Sequence, residues 1–113
     1  MSMPEFEQLM THRIDLIKRD RNKSGDWINL LTISNLPAFV QFGNHFFTTK
    51  TDEKKEATAI VFLKDDCGID INWDYWIINQ ILPYSRPNME VLKIDPIDNP
   101  ILGSTHHFEI EVR

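Results

Sequence analysis

The chain is 113 residues long, the size of one ordinary domain, and its 42% hydrophobic residues and three Trp are enough for a core without metal or disulfide staples. A 26% charged fraction with four Gly and six Pro excludes a disordered or fibrous chain. The net charge of -5 argues against a densely basic nucleic-acid surface, and a single cysteine excludes an internal disulfide framework.

One domain over residues 1–113 is expected, in the cytoplasm. Glu5 and Glu7 stand where a signal peptide carries basic residues. The longest apolar-rich run, Trp73 to Leu82, is interrupted by Asp74, Asn79 and Gln80 and is too short to span a bilayer.

In chain order, Pro4 to about Asp20 reads as an amphipathic helix, because Phe6, Leu9, Met10, Ile14 and Ile17 recur at three- and four-residue steps. Ser2 with Glu5 suits its start, and the basic residues gather at its other end. After a loop at Asn22–Gly25, Trp27 to Ile33 is apolar on both faces and reads as a central strand. Ala38–Phe42 and His45–Lys50 flank Gly43-Asn44, a dipeptide suited to a hairpin turn, and Thr51–Glu56 is a polar connection. Ala57 to Leu63 reads as a buried strand on its β-branched and aromatic content, although Lys54, Lys55 and Glu56 favour helix. Ile69 to Asn72 begins extended, and the stripe Trp73, Trp76, Ile77, Gln80 and Ile81 predicts a second helix ending at Leu82 before Pro83. Asn88 to Ile94 is a strand, Pro96 and Pro100 bracket a loop, and Thr105 to Val112 alternates as a half-buried strand. These elements predict an α+β fold: two helices on a mainly antiparallel sheet of five or six strands.

Chemical motifs are few. Asp70-Ile71-Asn72-Trp73-Asp74 begins like a calcium loop, but Tyr75 and Ile81 stand where that loop needs Gly and Glu. No Cys or His repeats at zinc spacing, and His106 and His107, adjacent on a strand, are expected to point to opposite faces. Cys67 sits beside Asp65 and Asp66, which raise a thiol pKa, and no Ser lies in a nucleophile elbow. The four Gly are isolated, so no phosphate-cradling loop exists. No catalytic residue, metal or cofactor is therefore expected.

The charge is uneven. Arg13, Lys18, Arg19, Arg21 and Lys23 cluster early, and Asp65, Asp66, Asp70 and Asp74 cluster later. Beside the acidic group stand Trp73, Tyr75 and Trp76, three rings too crowded for one core. The expected function is a non-enzymatic interaction module, a regulator or inhibitor that binds a protein. Its anchors would be Trp73, Tyr75 and Trp76 and its polar rim Asp70 and Asp74. Self-association through the edge of Thr105–Val112 is a related expectation.

Two alternatives remain at this level. Gly43-Asn44-His45-Phe46-Phe47 followed by Lys54-Lys55-Glu56-Ala57 loosely resembles the double-stranded RNA-binding domain. That resemblance implies a helix from Ala57 to Leu63 and phosphate contacts by Lys54 and Lys55, joined on charge grounds by Lys18, Arg19, Arg21 and Lys23. The other alternative is a small-ligand or enzymatic pocket using His106 or His45 with an Asp.

Overall fold

The computed structural model describes residues 8–49 and 51–113. Six strands dominate it: β1 (His12–Arg21), β2 (Trp27–Thr48), β3 (Lys54–Lys64), β4 (Trp76–Leu82), β5 (Met89–Asp98) and β6 (Thr105–Val112). They pair antiparallel and close into a barrel in the order β1-β2-β3-β6-β5-β4. The fold is all-β, which corrects the α+β expectation and both of its helices.

Of the expected Pro4–Asp20 helix, residues 1–7 lie outside the described residues, and His12–Arg21 is strand. Its sequence fits both periods, since Ile14 is two residues from Leu16 and three from Ile17. Pairing decides the matter: β1 is bonded to β2 on one edge and β4 on the other, and Ile14 and Leu16 face the barrel fully buried. The expected Trp73–Leu82 helix is replaced by β4 from Trp76 onward, with Trp76, Ile78 and Gln80 buried. Ile77, Ile78 and Ile81 favour an extended backbone, and Pro83 keeps Leu82 out of the helical region. The strand expected at Ala57–Leu63 lies within β3, which leaves no place for the RNA-binding domain's helix there.

Gly43-Asn44 is not a hairpin turn. β2 runs through it, with Phe42 opposite Ala59 and His45 opposite Ala57, so the strand carries one extra residue. Gly43, at φ +143°, supplies backbone that L residues rarely adopt, and a β-bulge uses it. The hairpin turns later, where Thr49 accepts from Asp52 and pairs with Glu53 through the Glu53 carbonyl at 2.8 Å. A second bulge lies near Asn35, since Ile14 faces Leu36 while Leu16 faces Ile33. Asn35 takes φ +58°, and its N–H donates to Asp15 Oδ1 at 3.0 Å.

The core fills the barrel. Ala38, Ala59, Val61, Leu63, Trp76, Ile78, Phe108, Ile110 and Val112 join Ile14 and Leu16, small residues accommodating the rings of Trp76 and Phe108. Cys67 is buried with them, and partly buried Ile69 and Trp73 pack against them, so the 65–75 segment covers part of the core. β6 is paired on both sides, with β3 and β5, so the expected open edge at Thr105–Val112 does not exist. β5 continues through Pro96 to Asp98, where a loop was expected.

β1 and β2 outrun the barrel. Arg19–Arg21 pair with Trp27–Asn29 in a projecting hairpin, and residues 21–32 are all exposed. The expectation that Trp27–Ile33 is a central strand is therefore corrected: its apolar faces belong to an arm.

Candidate functional site

The seam between β4 and β5 is the shortest in the barrel, closed by the pairs Ile77–Glu90 and Ile78–Met89. Continued, that antiparallel register would set Tyr75 opposite Leu92 and Trp73 opposite Ile94. The strands part instead. The Tyr75 carbonyl accepts from the Arg19 N–H at 3.0 Å, and Trp73 Nε1 donates to the Arg19 carbonyl at 2.9 Å, which ties the 73–75 segment to β1. A cleft of about 580 Å³ opens where the ladder stops. Its walls are Ile71, Trp73 and Asp74 on one side and Val91–Asp95 on the other, with Phe47, Thr49, Thr51, Glu53 and Lys55 from the β2–β3 hairpin. This size is that of a pocket for a small ligand or a few peptide residues. Beyond Glu90, no described strand pairs with the β5 edge on this side.

The cleft is apolar at Phe47, Ile71 and Trp73 and carries both signs of charge, Lys55 and Lys93 against Glu53, Asp74 and Asp95. Lys93 holds an ion pair with Asp95 at 3.4 Å, and its ammonium lies 5.9 Å from the Phe47 ring.

Behind Trp73 runs a ridge of rings and cations. Tyr75 meets Trp73 edge-on at 6.0 Å and Trp27 at 5.4 Å. Lys18 lies 4.8 Å from the Trp73 ring, and Arg19 and Arg21 lie 4.1 and 4.2 Å from that of Trp27. Such contacts contribute about 0.5–1 kcal/mol each at exposed sites. The basic and acidic segments of the sequence are thus neighbours: Lys18 also reaches Asp70 at 3.8 Å.

Of the expected anchors, Trp73 lines the cleft half-buried, Tyr75 stands beside it 47% exposed, and Asp74 is exposed on the cleft wall. Trp76 is corrected: at 1% exposed it is a core residue whose Nε1 donates to the Asp70 carbonyl at 3.0 Å. Asp70 does structural work too, accepting from the Asn72 N–H through Oδ1 at 2.9 Å and from the Trp73 N–H through its carbonyl at 3.2 Å. Sequence reasoning missed Trp27 and the β5 edge. Only the uncharged run around Trp27 could have signalled one of them.

The residues of the alternative readings are scattered. Lys18, Arg19, Arg21 and Lys23 lie on β1 and its arm, and Lys54 and Lys55 at the start of β3; Lys18 lies over the Trp73 ring, and Lys55 lines the cleft. His45 Nε2 lies 3.4 Å from Glu111 Oε1, outside the cleft lining. Burial pushes the Glu111 carboxyl pKa up, with His45 opposing, and Oε2 has no hydrogen-bond partner among the described residues. His106 and His107 do not diverge as expected: their Nδ1 atoms are 2.7 Å apart, and His107 Nε2 meets Glu109 at 3.1 Å. Burial first, then Asp66 and Asp65, raises the Cys67 thiol pKa against opposing backbone amides. Among the described residues no group of three or more His, Cys, Asp or Glu is placed to hold a metal, and no helix is long and apolar enough to cross a membrane. Compared with protein-family models, curated proteins and solved structures, the chain gives no match.

Proposed function

We propose that this protein is a non-enzymatic interaction module that takes up an extended segment of a protein partner in the cleft between β5 and the 71–74 segment. One observation carries the reading: the barrel ladder stops after Ile77–Glu90, leaving the β5 edge without a described partner strand opposite Trp73. An extended segment added there gains main-chain bonds from β5, as in strand addition generally, and side-chain specificity from the cleft. Phe47, Ile71 and Trp73 suit an apolar side chain, and the two signs of charge at the rim suit a peptide of mixed charge more than a polyphosphate.

The test is selection from a random peptide display library, followed by amide chemical-shift mapping of the selected peptide. Shifts at 71–74 and 91–95, with binding weakened at least about tenfold in Trp73→Ala, the loss expected of an interface anchor, support the proposal. Asp74→Lys, at an exposed wall position, repeats the test without touching the Trp73–Arg19 bond. Failure to select any peptide, or shifts confined elsewhere, overturns it. A single-stranded oligonucleotide titrated in parallel replaces it with the nucleic-acid reading if binding is tight and falls steeply with salt.

A further inference from the structure

We infer that two copies of this chain pair antiparallel through the free edges of their β1–β2 arms, centred on Leu30. The edge of β2 that β3 covers from Ala38 onward has no described partner strand over Trp27–Ser34. Natural sheets blunt such edges with charge, Pro, bulges or a covering element. Trp-Ile-Asn-Leu-Leu-Thr-Ile-Ser contains no charge, no Pro and no Gly, and of these devices it carries only the β-bulge at Leu30, where Lys18 faces Leu31 and Arg19 faces Asn29. Ile28, Leu30 and Leu31 are 42–49% exposed on it, and a two-stranded hairpin of this kind gains little stability alone in water.

A second copy is the occupant that fits. Closed two-fold pairing of identical edges is necessarily antiparallel. About Leu30 it sets Leu30 against Leu30, Asn29 against Leu31, Ile28 against Thr32 and Trp27 against Ile33, with no charge at any step and Asn29 the one amide among them. Charge agrees with this register. The arm of the second copy runs in the direction of β3, so its basic tip, with Arg21 and Lys23, arrives where β3 ends. There stand exposed Asp65 and Asp66, in the turn whose Gly68 lies against Ile33. Each tip thus meets the other copy's acidic turn, twice by symmetry. This surface is separate from the peptide cleft and does not depend on it.

Sedimentation velocity of the whole chain over a wide concentration range is the test, with peptide binding to the cleft measured on the same samples. The expected species is two copies of the 13.3 kDa chain. Leu30→Lys should raise the dissociation constant about a hundredfold or more, because two like charges replace two apposed leucines. Far-UV circular dichroism checks that the barrel persists. Lys23→Glu and Asp66→Lys should each weaken the dimer, and the double variant should recover it. These exposed substitutions carry the test if Leu30→Lys misfolds. A monomer at every concentration, an assembly larger than two, or a dimer indifferent to all these variants overturns the inference.

Discussion

β1 and β2 each belong to two different regions, and the contrast between them runs along single strands. Within the barrel, Ile14, Leu16, Ala38 and Val40 are 0–3% exposed, with sheet neighbours on both edges. A few residues further along, the arm holds Ile28, Leu30 and Leu31 at 42–49% exposed, with a described neighbour on one edge only. The residue types are alike. What differs is the number of neighbouring strands, and on β2 that number changes at Ala38, where the pairing with β3 begins. An apolar strand residue contributes to stability where the sheet closes over it, and stays as exposed apolar surface where the strand outruns its sheet.

The sharpest way to break that contrast is to cut a large side chain from the closed region. Trp76→Ala removes the largest fully buried side chain and its bond to the Asp70 carbonyl. Denaturant unfolding should show a loss of about 3–5 kcal/mol. A loss near that of a surface change would mean that the barrel interior is not what stabilises the molecule. Next comes Gly68→Ala. The position has φ +85°, and a new Cβ would meet the Ile33 side chain at 3.1 Å, so a loss of about 1–2 kcal/mol is expected.

Particular residues explain why some of these elements were legible and others hidden. β3 and β6 were legible, because Thr58–Phe62 is β-branched and aromatic and His106–Val112 alternates without interruption. β1 was not, because a strand with Ile14 and Leu16 inward and Ile17 on its other face also satisfies a helical stripe, and its pairing with β4, some sixty residues away, resolves the choice. Gly43 announced a special backbone angle but not which one: a bulge and a hairpin turn both ask for glycine. The site was half legible. Trp73, Tyr75 and Asp74 stood out as an aromatic and acidic group, while the facing β5 edge is defined by a partner strand that stops, which no local pattern records.

Glu111→Gln tests the closed region by a gentler change. Glu111 is 6% exposed, and burial raises its carboxyl pKa despite His45. A folded-state pKa above the unfolded value means the native chain holds its proton longer. The stability this contributes is full below the unfolded carboxylate range and is lost as pH rises through the raised folded value. Glu111→Gln should therefore flatten the decline of the thermal midpoint between mildly acidic and neutral pH, and raise the midpoint at neutral pH. An unchanged pH profile would mean that His45 fully compensates the burial.

The smallest effect belongs to the arm. Leu30→Ala should change unfolding stability by about 0.5 kcal/mol or less in dilute protein, since it removes no closed contact, cap or strained backbone. The same variant becomes informative when concentration is raised. A chain that pairs through its arm gains stability by mass action, so the wild-type midpoint should climb with concentration while that of Leu30→Ala stays lower and flatter. Equal climbs would place the association elsewhere on the surface, and no climb in either would leave the arm a solvated hairpin. A large loss in dilute protein would instead mean that Leu30 is already covered within one chain, and the distinction between closed barrel and open arm would fail at its centre.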